Sequence, residues 1–310
     1  MASMPKKHIA AACALLVVCS QAIHAETEAQ LNPVTVTGAN DESLSSINTQ
    51  WGFGGTWKDK PQSITAITRE QIDSQISQRV GDIVSNDASV QKNYTPLGYY
   101  EFFAIRGFPL DVATAYKLNG LTVAGDASVP LENKERVEVI KGITGLEAGT
   151  LSPGGLINFV TKRPDRDLRS IGFGIGEKGS FSQYADYSQA LTSEKPFGFR
   201  INAAHEDYHP YVKEATGYRN FFSLAADAKF SKDTKLETDF EYQRKSQFSV
   251  PGYQLLGDNT LPPIDPFRHL TANQTWAKPV ASNQINFGAR LSTEINSNWK
   301  AQFGYQFSQI

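Results

Sequence analysis

The sequence predicts two parts: a mixed α/β domain, then an antiparallel β-sheet of the kind that closes a transmembrane barrel. Three observations carry this. Residues 61–164 mix one helical period with short β-prone runs separated by turns. After Pro164 the chain becomes a series of strands in which apolar and polar side chains alternate. The segment that joins the two, RVEVIKGITGLEAGTLSPGGLINFVTKRP (residues 136–164), runs from strand through glycine-rich turn to strand, with no helix after its glycines.

The N-terminus reads as a secretory signal. Lys6, Lys7 and His8 precede a ten-residue apolar core, Ile9 to Val18, and cleavage is expected after Ala25. A membrane-spanning helix needs about twenty apolar residues, so this core is too short. Cleavage removes both cysteines, Cys13 and Cys19, leaving no thiol for a disulfide, a thiolate metal site or a nucleophile. It also leaves 28 basic against 32 acidic side chains, a formal charge of −4 that argues against a nucleic-acid partner. No later stretch is apolar enough for a transmembrane helix, so an exported chain that enters a membrane must do so as a barrel.

Residues 26–60 are polar and glycine-rich and read as flexible. Within them NPVTVTGAN holds a β-prone island, Val34 to Thr37. It is too short to form a sheet alone. It either adds to the edge of another protein's sheet or is an ordinary linker.

From Pro61 onward, QSITAIT reads as a strand. Thr68 with Gln71 three residues later makes a capping box, and Ile72, Ile76, Val80 and Ile83 predict one helix ending near Ser85. FFAIRGF predicts a strand that turns at Gly107, and KLNGL a hairpin about Asn119-Gly120.

Beyond Pro164 seven strands are expected, two weaker ones near 168–177 and 181–191 and five strongly patterned ones. In FGFRINAA, Phe197, Phe199, Ile201 and Ala203 oppose Arg200 and Asn202. Phe222, Leu224, Ala226 and Ala228 oppose Ser223 and Asp227, and Leu236, Phe240 and Tyr242 oppose Glu237, Asp239 and Glu241. Ile285, Phe287, Ala289 and Leu291 oppose Asn286 and Arg290, and Trp299, Phe303, Tyr305 and Phe307 oppose Lys300, Gln302 and Gln306. Such two-faced strands bury their apolar side against a second sheet or against lipid. Short turns (TSEKP, SKDT, NSN) alternate with longer joins, and Phe197, Phe230 and Trp299 flank the short turns as an interfacial girdle would. Both features favour the membrane barrel over a soluble sandwich. Seven strands do not close a single-chain barrel, which takes an even number from 8 upward. The chain is therefore expected to be a piece of a longer one or a truncated form.

The glycines of the joining segment do not form a phosphate cradle. GITGLEAG lacks the Lys-Ser/Thr of a P-loop, and the strand LINFVT follows it. GFGIGEKG at 172–179 is followed by no helix either. No Ser/His/Asp or paired-carboxylate constellation is legible, so no enzyme is expected; His205, His209 and His269 read as loop histidines rather than metal ligands.

Four segments, in order, resemble the TonB-dependent outer-membrane receptors of the ferric-siderophore type. VTVTG resembles the TonB box, IRGF (Ile105 to Phe108) the central motif of the plug, LNGL the hairpin after it, and residues 136–164 the plug's closing signature. The resemblance covers the whole mature chain. It implies an α/β plug domain followed by an antiparallel transmembrane β-barrel, 22-stranded in the family, of which about seven strands are present here. The implied boundaries are a signal peptide at 1–25, a flexible segment with the TonB box (32–38) at 26–60, the plug at 61–164 and barrel strands at 165–310. Two departures stand out: Lys141-Gly142-Ile143 where the family commonly has Arg-Gly-Pro, and Ala148 near where it has a tyrosine. The short span from Glu26 to Leu31 leaves no room for an extra N-terminal signalling domain, so a transporter without transcriptional signalling is expected.

The resemblance further implies binding of a ferric siderophore from outside, with the iron carried inside the ligand and no resident cofactor, in the bacterial outer membrane and in contact with its lipid. Haem and cobalamin are rival ligands, and a passive porin-like barrel is an alternative that leaves the α/β domain unexplained. Arg106 is implied to lie near the plug apex, either bonding chelate oxygens or holding the plug together. Tyr94, Tyr99 and Tyr100 of the plug loop, with Phe248, Tyr253 and Gln254 of the long barrel loop, are the other candidate ligand contacts. The same rings would also serve as packing or girdle aromatics. Energy would arrive through Val34, Thr35, Val36, Thr37 and Gly38, paired as an added strand on TonB, with ExbB and ExbD acting indirectly.

Overall fold

The computed structural model describes residues 63–75, 79–95, 97–142, 152–192, 194–212, 214–250, 257, 259–260 and 278–310. The TonB-box residues Val34 to Gly38, the glycine-rich turn at 143–151, and Tyr253, Gln254 and His269 lie outside them.

The α/β domain opens with β1 (Ser63–Thr68), α1 (Arg69–Ser74) and α2 (Val80–Val84). It continues through β2 (Val90–Lys92), β3 (Phe103–Ile105), β4 (Phe108–Pro109), β5 (Tyr116–Leu118) and β6 (Leu121–Thr122), and ends with β7 (Lys134–Lys141) and β8 (Gly155–Thr161). Five strands form one sheet in the order β1-β7-β8-β5-β6, and β2-β3-β4 form a second, smaller one. Val137, Val139, Ile157 and Phe159 of the two central strands pack against Ile72, Ile83 and Ile105, all essentially inaccessible to solvent. Burying each such side chain contributes about 1.5–3 kcal/mol, which is what holds so small a domain together.

The capping box forms as expected. Gln71 donates its backbone N–H to the Thr68 hydroxyl at 3.4 Å, and the Gln71 side chain accepts from Thr68 N–H at 3.0 Å. The single helix to Ser85 does not form, and two short helices take its place. Arg79 is extended (φ −129°, ψ 145°), so the chain must start a new helix at Val80. The exposed donors of that new start are met from elsewhere in the fold: the Glu101 carboxylate accepts from Val80 and Gly81 N–H at 3.1 and 2.8 Å.

Both predicted turns are present. Arg106 and Gly107 (φ 53° and 82°) turn β3 into β4, and Asn119 and Gly120 (φ 51° and 84°) turn β5 into β6. Two successive positive φ angles are what a two-residue hairpin needs. In the joining segment, Gly155 has φ 126°, and a Cβ there would strike the Ile140 carbonyl oxygen of the paired strand. Only glycine fits.

The remaining strands are β9 (Leu168–Ile175), β10 (Phe181–Gln189), β11 (Phe197–Tyr208), β12 (Gly217–Lys229), β13 (Thr234–Gln247), β14 (Val280–Asn296) and β15 (Trp299–Gln309). They make one antiparallel sheet in sequence order. Its short turns, 190–196, 230–233 and 297–298, lie at one end, flanked by exposed Phe197, Phe230 and Trp299. At the other end only the join between β13 and β14, residues 248–279, is long. Residues 176–180 and 209–216 exceed the turn at 190–196 by one residue at most, so the expected alternation of short and long joins is only partly present. Lys178 and Gly179 (φ 52° and 81°) make residues 176–180 a tight turn.

The polarity of this sheet is inverted. Phe173, Phe303 and Tyr305 are 68%, 69% and 59% exposed on the outer face, while Arg200, Asp227, Glu241 and Asn286 on the inner face are 3% or less. The α/β domain packs on the polar side and leaves the apolar side uncovered. That is the reverse of a soluble sandwich and the requirement of a lipid-facing wall.

The α/β domain is held to the wall by buried charges. Lys134 pairs with Glu241 at 2.6 Å, and Asn133 and Asn286 donate to the same carboxylate at 2.7 and 3.1 Å. Arg219 of the wall pairs with Glu132 of the domain and with Glu206 beside it. The Lys162-Arg163 end of the joining segment is a tether. Lys162 pairs with Asp186 at 2.9 Å, and Arg163 pairs with Asp227 and lies 3.7 Å from Asp239.

Removing one partner of a buried pair costs about 3–5 kcal/mol, because the other charge is left uncompensated. Glu241→Ala should therefore lower the urea midpoint and speed proteolysis within residues 134–161. Glu294→Ala, which breaks the exposed Lys300–Glu294 pair, should cost no more than about 1 kcal/mol. Equal effects of the two changes would show that the buried pair does not seat the domain.

Candidate functional site

A cavity of about 370 Å³ opens between the α/β domain and the end of the wall that carries the long loop. That volume falls in the ordinary range for small-molecule sites. The loop between β2 and β3 supplies one side. Its ends are closed by Asn93 N–H donating to the Phe102 carbonyl at 2.7 Å. Within it, Tyr94 and Tyr100 lie 4.3 Å apart between ring centroids, Tyr99 and Tyr100 4.8 Å, and Tyr94 and Tyr99 6.3 Å. A side chain at Gly98 would collide with the Tyr94 ring, so the glycine lets the tyrosines gather.

This loop is stitched to the outer end of the wall. Val250 donates its N–H to the Leu97 carbonyl at 2.8 Å. Leu97, Val212 and Ala215 form a small apolar cluster, with Tyr208, Tyr211, Phe248 and Val250 packed against it. Phe248 therefore supports the rim of the cavity. Tyr208 lies under Arg79, whose guanidinium is 4.3 Å from the ring centroid.

Of the sequence-predicted residues, Tyr94 and Tyr100 line the cavity, Tyr99 packs on their rings, Phe248 packs in the apolar cluster beside it, and Arg106 does not line it. In the β2–β3 register Lys92 faces Phe103 and Val90 faces Ile105, so Arg106 and the tyrosine loop leave opposite ends of the small sheet. Arg106 is exposed at its hairpin tip. His205 is not in a loop but on β11, where Asn220 lies 2.7 Å from its Nδ1. His209 lies in the following loop and lines the cavity. Among the described residues no group of three His, Cys, Asp or Glu side chains is placed to hold a metal ion.

The cavity's electrostatics are set by what is already paired. Burial and the neighbouring Tyr99 push the Tyr94 and Tyr100 hydroxyls above the ordinary phenol value, and for Tyr94 the nearby Tyr100 adds to this. Both rings therefore stay neutral at physiological pH and offer hydrogen bonds rather than phenolate oxygens. Glu101 is pushed up by burial, against the opposing pull of the Gly81 N–H that it accepts from. Lys92 is paired with Asp82 at 3.1 Å.

Sequence reasoning missed Arg79, Tyr208 and Lys245, which line this cavity. The signal for Lys245 was present, since it continues the inward stripe Glu237, Asp239, Glu241, Gln243 on β13. What could not be read was where along that stripe the α/β domain stops covering it.

A sheet apolar outside and polar inside, with an α/β domain seated on its polar face, is the arrangement of a plugged barrel wall. Residues 56–156 match the family model of the TonB-dependent Receptor Plug Domain, and a seven-stranded antiparallel sheet follows them. It is 26% identical to the ferric-pyoverdine 358 receptor of Pseudomonas putida, over 88% of this chain and 34% of that protein. It is 25% identical to the ferrichrome receptor FcuA of Yersinia enterocolitica, over 77% of this chain and 32% of that one. Among solved structures it is similar to the ferric preacinetobactin receptor of Acinetobacter baumannii, with TM-score 0.77 and 21% identity over 85% of this chain and 40% of that one. The chain spans about a third of the length of the curated relatives it matches. The outward apolar face is the one that a barrel wall turns to lipid.

The raised tyrosines give a direct test. An ultraviolet difference titration of the native protein against Tyr100→Phe should show the missing phenol ionising above the free value of about 10. A phenol titrating at or below that value would mean that the ring stands in water rather than in this cavity.

Proposed function

We propose that the chain is part of an outer-membrane receptor that binds a ferric siderophore and imports it with energy supplied through TonB. The carrying observation is the 370 Å³ cavity between plug and wall, roofed by Tyr94 and Tyr100 and open at the long-loop end. Neutral aromatic hydroxyls suit a bulky, partly apolar chelate whose iron is already fully coordinated. The names of the relatives support the same ligand class. Tyr94, Tyr99, Tyr100 and Phe248 are proposed as ligand contacts. Tyr253 and Gln254, a few residues beyond Val250, are proposed as further contacts. In this reading Arg106 holds the β3–β4 turn rather than the ligand.

Residues 34–38 are proposed as the coupling strand. The outer membrane offers no ATP, so ligand binding must be signalled to an energised partner, and strand addition to TonB does this through backbone hydrogen bonds. The plug's seat suits such coupling, because ion pairs and hydrogen bonds to the wall can re-form with water when the plug shifts.

The test is iron-limited growth of a strain lacking the receptor, complemented with the native gene and fed a panel of ferric siderophores. At least one chelate should restore growth. Val36→Pro, which removes a backbone donor in the coupling strand, should abolish uptake of that chelate while leaving its binding within about twofold. Transport that survives Val36→Pro would refute the coupling assignment, and rescue by haem or cobalamin alone would refute the ligand class.

A further inference from the structure

Lys245 is a buried cation of the cavity that makes no direct ion pair among the described residues. It sits near the outer end of β13, on the inward face, and is 9% exposed. It lines the main cavity and also a smaller recess beside it, both shared with Arg79, Ser128 and Tyr208. Among the described residues it makes no hydrogen bond and no ion pair.

The carboxylates around it are engaged elsewhere. Glu101 accepts from Val80 and Gly81 N–H. Glu206 and Glu132 are both held by Arg219. Asp82 is paired with Lys92. The nearest other cation, Arg79, is stacked on Tyr208 and adds positive potential rather than cancelling it. His209 presents a buried Nδ1 without a partner in the same cavity. A buried ammonium without a counter-ion is costly for the empty protein, and an incoming anion removes that cost.

We propose that Lys245 is the charge-selecting group of this cavity, and that the chelate it admits presents an acidic oxygen, a carboxylate or an oxyanion, to the wall. This rests on reading the cavity as the chelate site and adds the ligand's charge. Lysine suits the role as a compact point charge with three donors, one of which reaches a ligand oxygen while the stem packs along β13.

The experiment measures binding by fluorescence quenching in detergent, using the receptor purified from its native gene. Two iron(III) probes are compared, a neutral tris-hydroxamate and a tris-catecholate of net negative charge, on the native protein, Lys245→Gln and Lys245→Arg. The native protein should prefer the anionic probe. Lys245→Gln should weaken that probe by on the order of tenfold or more and leave the neutral one within about twofold, and Lys245→Arg should recover most of the loss. Equal binding of both probes by all three proteins would overturn the role of Lys245 and leave the cavity as a chelate site. A Lys245→Arg variant as weak as Lys245→Gln would also overturn it, since packing rather than charge would then explain the loss. Binding of neither probe by the native protein would overturn the chelate reading, and the charge assignment with it.

Discussion

A sheet that turns its apolar face outward must bury a polar face inward, and each charge on that face needs a partner. Here the partners come largely from the plug. Lys134 with Glu241, Glu132 with Arg219, and Lys162-Arg163 with Asp186 and Asp227 are one arrangement repeated along the wall. Lose the plug, and Glu241 holds a charge without its cation, while Asp186 and Asp227 keep Arg200 and Lys235 of the wall. Lose the wall, and Lys134, fully buried here, has nowhere to go. Each part supplies counter-charges to the other.

The same constraint shapes function. An apolar seat of this size would fix the plug, because separating it would expose hydrocarbon surface to water. A seat of ion pairs and hydrogen bonds offers water an equivalent exchange at each contact, so the plug can shift without a large net cost. The cavity lies where the pairing pattern runs out, at the outer end of β13, between a tyrosine loop tied to the wall by Leu97 and Val250 and a lysine that makes no direct ion pair among the described residues. In the proposed reading, binding at one end and tethering at the other are two uses of one polar surface.

Much of this was legible in the residues. Strand alternation reports the two faces directly, so Phe222 against Ser223, or Phe287 against Asn286, told which side each strand would bury. The turns at Arg106-Gly107 and Asn119-Gly120 were legible because few residues tolerate two successive positive φ angles. The helix after Thr68 was misread because Ile72, Ile76, Val80 and Ile83 keep a helical period across a break that only Glu101, twenty residues on, stabilises. The site was half legible. Aromatic clustering pointed to Tyr94, Tyr99 and Tyr100, but Arg106 lies at the other end of its sheet, and Lys245 gains its meaning only from the carboxylates that are already taken.

The central claim is the inverted polarity of the wall. Cys13 and Cys19 are the two cysteines of the sequence, so with both replaced by serine, single cysteines placed in turn from residue 221 to 228 on β12 give clean spin-label sites. In lipid, collision rates with oxygen should rise and fall with a period of two, high at 222, 224, 226 and 228 and low at 221, 223, 225 and 227. A flat profile, or maxima at the odd positions, would contradict a lipid-facing wall seated on a polar plug.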